Sequence, residues 1–199
     1  MRPVLIRKAS PLVRAGLSGI ICMLLTATGG AQERKSPDEP PQLGPPRVQL
    51  PQHIEYSTWR KICFKGSDNV TLCRTTSTGT DEIGQVVLRV DLIERADGPA
   101  ARLQLFVPQG LSLQAGVTAR VDNDAAAQFP YTYCLSNICI AAGPATPALI
   151  GKMDSGQILK IEQTDFKSSP VTMNVLLDQF TTAHKGLPAA NYDYNLTDD

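Results

Sequence analysis

Alternating apolar and polar positions run through residues 53–185 and predict a series of short β-strands. The clearest alternation places Leu103, Leu105 and Val107 on one face of a strand. The sequence Asp97-Gly98-Pro99 before it is typical of a turn, so this strand and the β-branched run that precedes the turn are expected to form a hairpin. Strands are predicted at residues 56–64, 70–76, 85–93, 101–107, 117–121, 128–134, 138–141, 158–162 and 171–177.

One short helix is predicted between these strands, at about residues 147–155. Thr146 suits the N-cap, Pro147 suits the first helical position, and Gly156 suits the position that ends a helix. The even spacing of the strands and turns predicts an all-β fold, either an antiparallel β-sandwich or a short barrel. Both architectures remain open on the pattern alone.

Residues 1–31 have the features of a cleavable signal peptide. Basic residues precede an apolar run at 15–25, and Gly29 and Ala31 occupy the −3 and −1 positions of a cleavage site. The run is short for a permanent anchor, although an uncleaved anchor is the alternative. We therefore predict an exported protein without a permanent membrane span after cleavage. It would be periplasmic or secreted, with peripheral association with the outer membrane as a further option.

Two polar segments flank the predicted β-domain, which spans residues 53–185. Residues 32–52 contain six prolines and few large apolar side chains, so we predict a disordered, extended linker. Residues 186–199 end in a polar and acidic stretch and are predicted to form a flexible tail.

Four cysteines remain once the predicted signal peptide, which contains Cys22, is removed. An even number of cysteines in an exported chain indicates disulfides. A two-residue hairpin loop at 136–137 would place Cys134 opposite Cys139 in a close, non-hydrogen-bonded pair. A three-residue loop at 67–69 would pair Cys63 with Cys73. We predict these two local disulfides. A zinc site is the competing interpretation, but the cysteine spacings lack its short two-residue knuckle.

The charge balance changes when the signal peptide is removed. The full chain has a formal net charge of zero, and the remaining chain keeps 15 basic and 19 acidic residues, a net charge of −4. This mildly acidic balance is unlike that of a nucleic-acid-binding protein, so no nucleic-acid partner is predicted.

The chain resembles the invasion-associated locus B family of alphaproteobacterial exported proteins. The resemblance rests on Trp59, Cys63 and Cys73, and on the segments 103–117, 121–122, 129–134, 139–141, 156–161 and 171–180 with Ala183. One departure is Asp178-Gln179 before Phe180, where a glycine is expected. The resemblance implies a periplasmic or surface-associated protein. Founding members are linked to entry of bacteria into host cells, notably erythrocytes, and the family offers no catalytic motif to transfer.

Few residues are candidates for chemistry. His53 and His184 lie at the two edges of the domain and are expected to be solvated boundary residues. Asp122-Asn123-Asp124 lacks the glycine and the distal glutamate of a calcium loop and is expected to be a plain turn. No catalytic residue, metal site or cofactor is therefore predicted.

Tyr131 and Tyr133 are the candidate partner-binding residues, because tyrosine combines contact area with a polar tip. Packing over the disulfides is the alternative role for these rings. We predict a non-enzymatic cell-envelope protein that interacts with host cells or envelope components. The alternative is a periplasmic carrier of a small ligand or lipid in a barrel interior, and an enzyme with an unfamiliar site is a third option.

Overall fold

The computed structural model describes Pro51 and residues 53–193. The predicted signal peptide and most of the predicted linker lie outside these residues. The strands are β1 (Glu55–Tyr56), β2 (Arg60–Lys65), β3 (Thr71–Thr80), β4 (Val86–Arg95), β5 (Ala101–Pro108), β6 (Val117–Val121), β7 (Ala127–Phe129), β8 (Tyr131–Cys134), β9 (Ile138–Pro144), β10 (Ile158–Thr164), β11 (Pro170–Leu176) and β12 (Ala190–Asp193). The helices are α1 (Pro147–Ser155), α2 (Phe180–Lys185) and a 3-10 turn at Leu113–Ala115.

The strands form two sheets, which confirms the predicted all-β class and the sandwich architecture. The first sheet has the strand order β12-β2-β3-β4-β5-β9-β8, with β1 also paired to β3, and the second has the order β11-β10-β6-β7. The three predicted hairpins are present as β2–β3, β4–β5 and β8–β9. Neighbouring strands are antiparallel except for β12, which runs parallel to β2.

A single cluster of buried apolar side chains fills the space between the sheets. Leu103, Leu105 and Val107 are completely buried, as the alternation predicts, and each contributes roughly 1.5–3 kcal/mol through burial. The second sheet contributes side chains such as Ile161 and Val175 to the same cluster. These side chains occupy the space between the two sheets of residues 53–193, so the architecture is a filled sandwich and not a barrel with an open interior.

The helix α1 begins and ends where the sequence predicts. The Thr146 hydroxyl accepts a hydrogen bond from the backbone N–H of Leu149, Pro147 is the first helical residue, and Gly156 follows the last. Leu149 and Met153 are the buried side chains of this helix, and both belong to the core cluster. The cap and the apolar face together fix where α1 packs.

Three features differ from the predictions. The strand predicted at 128–134 is divided at Pro130, because proline has no N–H to continue a ladder. Its first part, β7, lies in the second sheet, and its second part, β8, lies in the first. The helix α2 was not predicted, and Phe180 at its start is completely buried against Trp59, with ring centroids 4.9 Å apart.

The third difference concerns the predicted flexible tail at residues 186–199, part of which is a β-strand. Residues 190–193 form β12, and Tyr192 stacks on Phe64 with ring centroids 5.4 Å apart. Asp193 forms an ion pair with Lys65 at 3.6 Å. Polar composition suggests a tail, but these long-range contacts hold the segment against the sheet.

Candidate interaction surface

Both predicted disulfides are present, and each joins the two strands of a hairpin. Cys63 pairs with Cys73 across β2 and β3, with a Cα–Cα distance of 4.0 Å. Cys134 pairs with Cys139 across β8 and β9, with a Cα–Cα distance of 3.9 Å. Asn69 has a φ angle of 60° in the first loop, a left-handed conformation that asparagine tolerates.

Two neighbouring surface clefts share Leu113 and Gln114, and we call them together the disulfide-end clefts. The larger has a volume of about 560 Å³ and is lined by the Cys134–Cys139 disulfide and by Phe166. The smaller has a volume of about 380 Å³ and is lined by Tyr131 among others. Leu113 is 55% exposed and Phe166 is 62% exposed. Exposed large apolar side chains around a cleft are typical of a site that binds a partner.

The structure separates the two candidate tyrosines. A bulge lies between them, so that Tyr131 pairs with Ala141 and Tyr133 pairs with Ile140 on the neighbouring strand. In a regular strand, residues two positions apart face the same side of the sheet. The bulge shifts the register by one residue between Tyr131 and Tyr133, so their rings are directed differently. Tyr131 packs against the core and accepts a hydrogen bond of 2.8 Å from Gln163 Nε2, whereas Tyr133 is 57% exposed. Burial raises the pKa of Tyr131, and the hydrogen bond from Gln163 opposes this increase.

His184 is not a solvated boundary residue, and this sequence-based expectation is wrong. Its side chain is only 13% exposed, and the ring stacks on Phe180 with centroids 5.2 Å apart. Nδ1 lies 2.9 Å from Asp154 Oδ1, and Nε2 lies 3.0 Å from Glu94 Oε2. The hydrogen bond with Glu94 is the largest effect on the pKa of His184, which is raised above 6.5; burial opposes the increase and Asp154 adds to it. His53, by contrast, is exposed.

A second polar cluster lies on the face of the first sheet that points away from the core. Asp91 is only 1% exposed there, and its Oδ1 accepts a hydrogen bond of 2.5 Å from the Thr76 hydroxyl. Asp91 Oδ2 lies 3.2 Å from Arg89 Nε and 3.9 Å from Arg74 Nη1. One buried carboxylate therefore holds two guanidinium groups in place.

The turn at 122–124 has a structural role. The Asp122 carboxylate accepts hydrogen bonds from the backbone N–H groups of Gln157 and Ile158, and Asp124 forms an ion pair with Lys152 at 3.2 Å. Among the described residues, no group of three or more His, Cys, Asp and Glu side chains has the arrangement of a metal site. The oxygens of this turn are thus used within the fold.

The sequence-based interpretation missed both polar clusters. The His184 cluster depends on residues from three distant segments, and no local pattern indicates it. The other cluster has a partial signal in β4, where Arg89 and Asp91 occupy alternate positions of a β-branched run. Two charges spaced in this way lie on one face of a predicted strand and indicate a polar site there.

Comparison with protein-family models gives a match to the invasion associated locus B (IalB) protein over residues 59–188. The match covers more than half of the chain. This chain belongs to the IalB family. The family match includes Trp59, all four disulfide cysteines, the disulfide-end clefts and His184.

Two curated relatives share the same percentage of identical residues with this chain. The invasion protein B homologs of Brucella abortus strain 2308 and of Brucella abortus biovar 1 strain 9-941 are each 25% identical to this chain over 129 residues. Each alignment covers 64% of this chain and 74% of the relative.

A solved structure shares the fold of this IalB-family chain. The crystal structure of invasion associated protein b from Bartonella henselae superposes with a TM-score of 0.58 at 22% sequence identity. The superposition covers 67% of this chain and 92% of that structure. Within the described part of the present chain, we find no helix with both the length and the apolar character required to cross a bilayer.

Proposed function

We propose that this IalB-family protein is an exported, non-enzymatic protein of the cell envelope that binds a protein partner of the envelope or of a host cell. The observation that carries the proposal is the pair of disulfide-end clefts. Leu113 and Phe166 expose more than half of their surface there, beside a disulfide that stiffens the β8–β9 hairpin. A rigid surface loses little conformational entropy when a partner binds. Relatives named as invasion proteins are consistent with a partner on a host cell.

Export is supported by the signal-like residues 1–31 and by the two disulfides. Structural disulfides persist in oxidising compartments such as the periplasm and the extracellular space. We therefore place the protein in the periplasm or outside the cell. Cell fractionation with a tagged full-length chain tests this placement, and recovery of the protein with reduced cysteines in the cytoplasm would contradict it.

The geometry of His184 supports a non-enzymatic role. Both ring nitrogens contact carboxylates, at Asp154 and at Glu94. A general base needs an unoccupied ring nitrogen that faces a substrate. In this arrangement the imidazole joins α2 to α1 and to β4, which is a structural task.

Affinity capture from envelope extracts and from host-membrane extracts tests the partner proposal. We expect the disulfide-bonded protein to retain a reproducible partner and the variant L113D/F166D to lose it, because carboxylates in the clefts would have to be desolvated. The matched control is I83D, since Ile83 is 85% exposed and does not line the clefts. A separate Y133A variant tests whether the exposed tyrosine contributes.

Two results would contradict the proposal. One is the absence of any retained partner when circular dichroism shows that the protein is folded. The other is an equal loss of the partner in I83D and in L113D/F166D, because that would show a nonspecific effect of surface charge.

A further inference from the structure

A cationic groove lies on the outward face of the first sheet, away from the disulfide-end clefts. It has a volume of about 340 Å³ and crosses strands β2, β3 and β4. Its lining consists of Ser57, Arg60, Ile62, Arg74, Thr76, Thr78 and Arg89. We call it the arginine groove.

The pairing of the strands explains why three arginines meet here. Arg60 lies opposite Thr76 on the neighbouring strand, and Thr76 in turn lies opposite Asp91. Arg74 and Arg89 occupy adjacent rows on either side of this one. Arg74 and Arg89 therefore contact the same buried carboxylate, and Arg60 lies on the same face in the row of Thr76 and Asp91.

The positive charge of the groove exceeds its negative charge. Asp91 is shared between Arg74 and Arg89, and Arg60 has no ion-pair partner among the described residues. Three guanidinium groups and one carboxylate leave two positive charges uncompensated at this site. The strand registers place these charges on one face despite their mutual repulsion.

Two of the three arginine side chains lie against aromatic rings. The Arg89 guanidinium lies over the Phe106 ring at 3.6 Å from the centroid, and Arg74 lies 5.7 Å from the centroid of Phe64. Stacking on an aromatic ring fixes the plane of a guanidinium group.

We propose that the arginine groove binds the phosphate group of an organic phosphate. A phosphate offers three or four oxygens and up to two negative charges, which match guanidinium forks and the excess charge of the groove. The volume is larger than a phosphate ion requires and lies within the range of small-molecule sites. Ile62 provides an apolar contact for the organic part of the ligand.

The phosphate could be carried by a soluble metabolite or by a lipid headgroup, and binding measurements distinguish the two. The disulfide-bonded protein is titrated with glycerol 3-phosphate and, as the neutral comparison, with glycerol, while amide chemical shifts are followed by NMR. Co-sedimentation is measured with phosphatidylcholine vesicles that contain or lack phosphatidic acid. Binding to glycerol 3-phosphate alone indicates a soluble ligand, and binding to both probes indicates a site that also accepts lipid headgroups.

Arg60 is the residue to replace, because it is exposed and its removal leaves Asp91 with both of its partners. We expect R60A to weaken glycerol 3-phosphate binding by about tenfold, the usual effect of losing a charge-assisted hydrogen bond. R60K keeps the charge without the fork and should fall between R60A and the wild type. The matched control is R102A, since Arg102 faces outward on β5 and lies outside the groove.

The proposal predicts shifts of the amide signals of Thr76, Thr78 and Arg89 on addition of glycerol 3-phosphate, and none with glycerol. It is overturned if the wild type shows no saturable shifts of these signals, or if R60A and R102A bind equally well. None of these variants changes the disulfide-end clefts, so partner capture by the same proteins reports separately on the proposed function.

Discussion

The two disulfides should contribute unequally to stability, and the inequality can be calculated from the loops they close. Cys63–Cys73 joins residues separated by 10 positions, and Cys134–Cys139 joins residues separated by 5. In the loop-closure model, cross-links of these lengths raise the free energy of unfolding by about 2.7 and about 2.1 kcal/mol, because they restrict the unfolded chain.

Packing increases the difference between the two bridges. Cys63 is 5% exposed and Cys73 is 9% exposed, in strands that have neighbours on both sides. In the second bridge Cys134 is exposed on β8, at an edge of the first sheet, whereas Cys139 is 2% exposed on β9, which has neighbours on both sides. Alanine replacement therefore removes two buried sulfur atoms from the first pair and one from the second, which adds about 1 kcal/mol and about 0.5 kcal/mol to the respective costs. The total is then about 3.5–4 kcal/mol for C63A/C73A and about 2.5 kcal/mol for C134A/C139A.

Urea unfolding followed by circular dichroism measures these costs. The wild type in reducing buffer separates the effect of the lost cross-links from the effect of the lost buried sulfur, since it loses both cross-links and keeps all the sulfur atoms. Thiol titration of each protein verifies the number of free cysteines. The reasoning is refuted if C134A/C139A loses as much stability as C63A/C73A, or if the loss of either bridge leaves the free energy of unfolding unchanged.

Two further predictions concern the region around α2. Because the pKa of His184 is raised, its contacts with Glu94 and Asp154 stabilise the fold fully below pH 6.5 and less as the pH rises through the folded-state pKa. The difference in the free energy of unfolding between the wild type and H184Q should therefore shrink from pH 5.5 to pH 8.5. Urea unfolding measures this difference, and an increase with pH would contradict the prediction. Trp59 Nε1 donates a hydrogen bond of 2.7 Å to the Leu176 carbonyl, and W59F should lower the free energy of unfolding by about 1–3 kcal/mol; an unchanged urea midpoint would show that the carbonyl finds another donor.

The local features of this fold could be predicted from sequence because each depends on a few adjacent residues. The hairpin loops at 67–69 and 136–137 determine which cysteines face each other, since the loop length sets the register. The ends of α1 follow from Thr146, Pro147 and Gly156 in the same way. The alternation in β5 also assigns its buried face directly.

The remaining features depend on contacts between distant segments, which a single sequence does not display. The acidic stretch that contains Asp193 is typical of a tail, and only its pairing with β2 makes it a strand. Pro130 indicates an interruption but not the change from one sheet to the other. The carboxylate partners of His184 come from β4 and α1, which are distant from it in sequence. The arginine groove likewise requires the registers of three strands at once.

The parallel pairing of β12 with β2 has a consequence for the order of folding. It joins segments that are far apart in sequence, so closing this contact carries a larger loop entropy than closing any of the hairpins, and it is expected to form late. Until then, the outer edge of β2 presents unpaired N–H and C=O groups that can recruit a strand from another molecule. The interval between hairpin formation and the docking of β12 is therefore the period when a newly made chain is most exposed to aggregation. Factors that shield extended segments would act at that stage.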